Sequence, residues 1–200
     1  MNAILDSAPR SLLTGLAIAL LILVLWIALS GVDAIGLTSF LLRWIHILGG
    51  ILWLGMIFFV NFIQFAALAE ADEAGRSAIM KLIVPRVAHS LKHAAGLTLL
   101  TGVLLLVTSG YLFDSLVFSS AVYIPPLRNT LLWAGVAGGV TMWAFVEFII
   151  GPNLRIVLGQ TRADAAGIAR ARRQAKTFAR LNLILAVPVT FVMVAAAHLY

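Results

Sequence analysis

Four histidines lie within or at the ends of long apolar runs of this chain: His46, His89, His93 and His198. An ionisable side chain is costly inside a bilayer, so a residue of this kind is a candidate for function. Histidines in such a setting bind haem iron or transfer protons. The chain contains no cysteine, so any haem would be held without a covalent attachment to the protein.

His46 is followed one helical turn later by two glycines. At 100° per residue, one face of a helix carries His46, Gly49, Gly50 and Trp53. This pattern suits a porphyrin, because the histidine binds the iron and the absent side chains leave room for the ring. Close packing of two membrane helices is an equally good interpretation of the glycines. Arg43, one turn before His46, would pair with a haem propionate or extend to the membrane interface.

His198 ends the last apolar run and has the same predicted depth as His46. A rise of ~1.5 Å per residue places each of them ~12 Å outward of the middle of its helix. Two histidines at one depth on two helices predict a bis-histidine haem, with both residues bound to the iron. The alternative for His198 is a place among the lipid headgroups, because it lies close to the C-terminus.

A second polar site is predicted in the opposite half of the membrane. His89 and His93 are one turn apart on the third helix, and Gln64 of the second helix lies at a similar depth. Glu147 is the only acid well inside an apolar run, so we expect it to be paired or protonated. Its candidate partners are His89, His93, Lys92 and Arg155.

Three interpretations of this second site remain open. One is a second haem with His93 or His89 as a ligand. Another is a quinone or proton site that uses His93 and Glu147. The third is a structural ion pair of Glu147. His46 and His93 are not expected to share one iron, because their depths differ by ~20 Å.

The elements that must position these residues follow from composition. The chain is 62% hydrophobic and 11% charged, which excludes an ordinary soluble domain. Its apolar runs predict an all-α integral membrane protein, a five-helix bundle that forms a single membrane domain over residues 1–200. A cleaved signal peptide is the alternative for the first run, but the apolar core of that run exceeds the usual ~7–15 residues. The predicted helices cover about 11–29, 39–68, 84–113, 129–151 and 178–199.

Basic residues determine the predicted orientation of the chain, whose net charge is +6. Segment 155–177 is strongly basic and contains one acid, Asp164. The positive-inside rule places this segment and the N-terminus in the cytoplasm and the C-terminus in the periplasm of a bacterial inner membrane. Residues 163–176 are interpreted as an interfacial helix that anchors this topology, with membrane lipid and not nucleic acid as the partner of the charge. The cations of this segment are Arg155, Arg162, Arg170, Arg172, Arg173 and Lys176, and Arg180 follows just beyond it.

Three motifs resemble the membrane domain of bacterial membrane-bound urate hydroxylases, in the same order. Residues 41–55 resemble that family's Arg-Trp-x-His…Trp-Ile-Gly helix, residues 148–158 its Ile-Ile-Pro-Asn segment, and residues 188–193 with His198 its last helix. The resemblance covers roughly residues 40–200 and implies a form without the C-terminal cytochrome c domain. It also implies that His46 and His198 act as a pair. The matching positions are Arg43, Trp44, His46, Trp53, Asn153, Arg155, Asn182 and His198.

Three functions are compatible with these residues. The leading hypothesis is a b-type haem protein that transfers electrons, with a quinone on the inner side and a cytochrome c on the outer side as candidate partners. The second is a non-catalytic accessory subunit of a larger respiratory or photosynthetic membrane complex, which fits the small size and the small-residue helix faces. The third is an oxidase of a small heterocycle that uses an external cytochrome c, so the sequence leaves open whether the chain is an enzyme.

Overall fold

The computed structural model describes residues 2–112 and 126–199, and these residues are almost entirely helical, with no strand among them. Within this part of the chain, five helices are long and apolar enough to cross a membrane. The prediction of an all-helical chain with five such helices is thereby confirmed for the described residues. The helices are α1 (Ala8–Ser30), α2 (Ala34–Glu70), α3 (Glu73–Thr108), α4 (Leu127–Val157) and α5 (Ala165–His198).

The contacts divide the chain into two compact units, Met1–Phe40 and Leu41–Tyr200. The first unit contains a short helical turn, Asn2–Leu5, then α1 and the start of α2. Throughout its length α1 has no buried residue, and its apolar side chains point in all directions, as in a membrane span. It ends at Gly31, whose φ of 62° requires a residue without a Cβ.

Three of these helices contain a wide π-helical turn. Such turns rotate the following side chains around the helix axis, and they are frequent at functional sites. Each of the three carries a polar residue: Asn61 and Gln64 in α2, Lys81 in α3 and Glu147 in α4. The turns are Phe59–Gln64 in α2, Ile79–Ile83 in α3 and Phe145–Ile150 in α4.

The end of the second unit that carries the α2–α3 and α4–α5 connections is here called the basic end. Two helices of this unit begin there, and both begin earlier in the chain than predicted. α3 begins at Glu73 rather than near residue 84, and the Asp72 carboxylate caps it by accepting a first-turn N–H at 2.8 Å. α5 begins at Ala165 rather than near residue 178, and Asp164 caps it in the same way at 2.7 Å. The predicted starts were placed where the apolar stretches begin. The two aspartate caps lie earlier in the chain, and the polar turns between each cap and its apolar stretch belong to the helix. The predicted end of the third helix, at residue 113, lies outside the described residues.

Small residues bring α4 and α5 close together. A Cβ on Gly138 would overlap a methyl group of Val189, and one on Gly135 would lie 2.9 Å from Sδ of Met193. Membrane helices approach closely where side chains are small, because lipid gives no hydrophobic driving force between them. Larger side chains fill the core between the helices of the second unit. They include Trp53, Ile57, Leu91, Met142, Val146 and Ile150.

Candidate functional site

His46 has one ring nitrogen bonded to the backbone and the other without a partner. Its Nδ1 lies 2.8 Å from the carbonyl oxygen of Thr98 and 3.3 Å from Oγ1 of Thr101. A carbonyl oxygen can only accept a hydrogen bond, so Nδ1 carries the hydrogen. In the neutral ring Nε2 therefore has a free lone pair, and it has no hydrogen-bond partner in the described part of the chain. This is the nitrogen available to a metal.

One face of α3 holds the His46 ring in place. A Cβ on Gly102 would lie only 2.9 Å from Cε1 of His46, so the ring occupies space that any other residue would fill. The hydroxyl groups of Thr98 and Thr101 donate to carbonyl oxygens of the preceding turn, Ala94 and Leu97, at 2.8 and 2.7 Å. The sequence pattern does not single out this face of α3, although its residues fall at helical spacing within an apolar run.

The two glycines that follow His46 have different surroundings. Gly49 is buried against α3, where a Cβ would lie 2.8 Å from Oγ1 of Thr98. Trp53, one turn further on, is also buried. Gly50 has no atom within 4 Å of a Cβ position. Helix packing therefore accounts for Gly49, while Gly50 leaves an open surface beside the His46 turn.

His198 and Arg43 are both exposed. His198 is the last residue of α5. Neither side chain forms a hydrogen bond or an ion pair with any other described residue. Both are therefore accessible to a ligand.

Glu147 lies on the π-helical turn of α4 and pairs with α3. Its Oε1 is 2.8 Å from Nζ of Lys92, and the two side chains are 28% and 58% exposed, respectively. The expected pairing of Glu147 is thus present, and Lys92 is the partner. The pair lies at the wall of a cavity of about 250 Å³ between α3 and α4. The polar residues that line this cavity are His89, Lys92, Glu147, Arg155 and Gln160.

The two inner histidines stack on the surface of α3. Their ring centroids are 4.0 Å apart, and Nδ1 of His93 donates to the carbonyl oxygen of His89 at 2.8 Å. His89 lines the cavity between α3 and α4, whereas His93 does not. The structure therefore brings His89 and Glu147 to one cavity and places His93 outside it.

Gln64 belongs to a different site, a polar cluster in the core where α2, α3 and α5 meet. Asn61, Gln64 and Asn182 are only 4%, 7% and 1% exposed and line a second, smaller cavity of about 60 Å³. Asn61 donates through Nδ2 to the carbonyl oxygens of Ile57 and Ala179, at 2.9 and 3.2 Å. We call these three amides the core amides.

The core amides leave their oxygen atoms without partners among the described residues: Oδ1 of Asn61, Oε1 of Gln64 and Oδ1 of Asn182. The orientation of the two asparagine amides is determined, because Nδ2 of each donates to a carbonyl oxygen; for Asn182 this is the oxygen of Met142, at 3.3 Å. Buried oxygens of this kind normally accept hydrogen bonds from water or a ligand. The oxygens of the core amides are therefore available to small hydrogen-bond donors such as water.

Asn153 supports the end of α4. Its Nδ2 donates to the carbonyl oxygen of Ile149 at 2.8 Å, across Pro152, which has no N–H to donate to that turn. Among the positions that resemble the urate hydroxylase motifs, His46, Asn153 and Asn182 form hydrogen bonds within the bundle, and Trp53 is buried. In the sequence, only that resemblance singles out Asn182.

Comparison with protein-family models, with curated proteins and with solved structures finds no match to this chain.

Proposed function

We propose that the protein is a membrane-embedded, b-type haem protein that transfers electrons. The observation that carries this proposal is the hydrogen bond from Nδ1 of His46 to the carbonyl oxygen of Thr98. Histidines that bind metals usually donate their second ring nitrogen to a carbonyl or carboxylate oxygen, which fixes the tautomer and the ring orientation. His46 has this arrangement, with Thr98 as the acceptor.

The residues around His46 fit a haem. Gly50 offers an open surface, and the guanidinium group of Arg43 has no acidic partner among the described residues, so it is free to bind a propionate. His198, with its exposed and unpartnered ring, is the proposed second ligand. Bound in this way, the haem would supply reversible one-electron oxidation and reduction. The protein residues hold the iron, orient His46 and neutralise a propionate.

The proposed orientation places the basic end in the cytoplasm of a bacterial inner membrane, with the C-terminus in the periplasm. The basic residues of the α4–α5 connection and of the first turns of α5 support it through the positive-inside rule. His46 and His198 then lie in the periplasmic half of the bilayer. A cytochrome c would be the outer electron partner, as the resemblance to urate hydroxylases suggests, and a quinone the inner one.

The test is a dithionite-reduced minus oxidised optical spectrum of protein purified from haem-replete cells. We expect the wild type to show the α-band of a b-type haem, and we expect both His46→Ala and His198→Ala to lose it. His93→Ala is the matched control: Nδ1 of His93 also donates to a carbonyl oxygen, but to one of its own helix, and the ring lies outside this site. A wild type without a Soret band, or full haem content in His46→Ala, would refute the proposal.

A further inference from the structure

The cavity between α3 and α4 carries a positive charge that the described residues do not neutralise. Lys92 is paired with Glu147, which neutralises one of the cations at the cavity. Arg155 lines the same cavity, is exposed and has no acidic partner there. One guanidinium group is therefore left to bind an anion.

The cavity is also amphipathic. Its polar residues share the lining with apolar side chains from both helices, among them Leu91, Val146 and Leu154. The residue that follows Glu147 in the chain, Phe148, is 66% exposed, so apolar surface continues outside the cavity. A ligand that fits this surface has an anionic head and an apolar tail.

The groups that line the cavity match a phosphate. Arg155 is a cationic donor, Lys92 keeps N–H groups beyond the one that it donates to Glu147, and the Gln160 amide adds a neutral donor. The oxygens of a phosphodiester only accept hydrogen bonds, and arginine binds them through two parallel N–H groups. The choline of phosphatidylcholine carries a cation that would lie next to this positive charge, whereas the glycerol headgroup of phosphatidylglycerol carries none.

We propose that this cavity binds the phosphate of an anionic phospholipid, with the acyl chains along the apolar surface of α3 and α4. Arg155 supplies the principal contact. The position of the cavity at the basic end agrees with this, because basic pockets between membrane helices at the cytoplasmic side bind acidic headgroups. The proposal does not depend on a haem at His46.

The test uses the full-length protein, stripped of lipid in a neutral detergent and titrated with phosphatidylglycerol or phosphatidylcholine while bound lipid is counted by native mass spectrometry. We expect saturable binding of phosphatidylglycerol that is at least about tenfold tighter than that of phosphatidylcholine. Arg155→Gln should weaken it about tenfold or more, the effect of one charge-assisted hydrogen bond. Arg155→Lys, which keeps the charge, should retain part of the affinity.

Arg173→Gln is the matched control, since Arg173 is an exposed cation of the same end that does not line the cavity. It should leave the affinity unchanged. Equal losses in Arg155→Gln and Arg173→Gln would show diffuse surface attraction instead of a site. Equal binding of both lipids would overturn the proposal, and so would complete displacement by millimolar inorganic phosphate, which would mark a site for small anions.

Discussion

The His46 ring is oriented by a hydrogen bond to a main-chain oxygen and by the room that a glycine leaves because it has no Cβ. The carbonyl of Thr98 fixes the tautomer, and Gly102 provides the room for the ring. No carboxylate or other charged side chain takes part. The geometry of the ring therefore depends on how closely α2 and α3 approach each other at this level.

Gly102→Ala should disturb the proposed haem site without changing either ligand. The added Cβ would lie 2.9 Å from Cε1 of His46, so the ring must move away from the Thr98 carbonyl. We expect haem affinity to fall about 10–100-fold, as for other losses of support behind a metal ligand. The measurement is a haem titration of apoprotein followed at the Soret band.

Gly96→Ala is the control for that experiment on the same helix, α3. A Cβ at this position meets no atom within 4 Å, so the protein itself should tolerate it. If Gly102→Ala bound haem as tightly as the wild type, the orientation of His46 would not depend on its contact with Gly102 of α3.

At the scale of elements, the association of α4 with α5 rests on the absence of side chains. Gly138 and Gly139 are neighbours in α4, but a Cβ on Gly138 would overlap Val189, whereas one on Gly139 would meet nothing within 4 Å. The two positions thus allow the same substitution to be compared in and out of the interface.

Gly138→Ala should lower the free energy of unfolding by about 1–3 kcal/mol, because overpacking forces the two helices apart. Gly139→Ala should be neutral or stabilising by up to about 1 kcal/mol, since alanine favours helix over glycine. Thermal unfolding in detergent, followed by circular dichroism, measures both. Equal effects of the two substitutions would mean that α4 and α5 do not pack through Gly138.

The five helices could be predicted from the sequence, but which helices pack against one another could not. Runs of apolar residues identify five helices because length and hydropathy are local properties. Which of the two sites each inner polar residue joins is not a local property, because it depends on how the helices pack. Gln64 joins Asn61 and Asn182 in the core, while Glu147 joins Lys92 at the α3–α4 cavity. Depth alone grouped Gln64 with Glu147, since a single sequence does not tell which pair of helices each residue lies between.

For the candidate haem site, the sequence supplied His46 and the glycines but not the residues that hold the ring. Thr98 acts through its backbone, and Gly102 acts by having no side chain. Neither contribution is recognisable from residue type. The π-helical turns were not predicted either, because apolar periodicity is too coarse to detect one inserted residue.

At the scale of the whole molecule, the proposed topology assigns the two sites to opposite sides of the membrane. The natural absence of cysteine allows single cysteines to report on this directly. Gln160→Cys should react with a membrane-impermeant maleimide only after the inner face is exposed, whereas Leu199→Cys should react in intact spheroplasts. The reverse pattern would place the basic end outside and contradict the positive-inside argument.

The backbone hydrogen bond of His46 has a consequence for how this protein tolerates genetic change. Every amino acid supplies a carbonyl oxygen, so substitutions at position 98 that preserve the helix retain the acceptor. Position 102 has no such freedom, because there only glycine leaves the space that the imidazole fills. In a saturation library selected for function, the residue at position 102 would therefore be recognised as an invariant glycine, whereas position 98 would vary within the limits of helix packing.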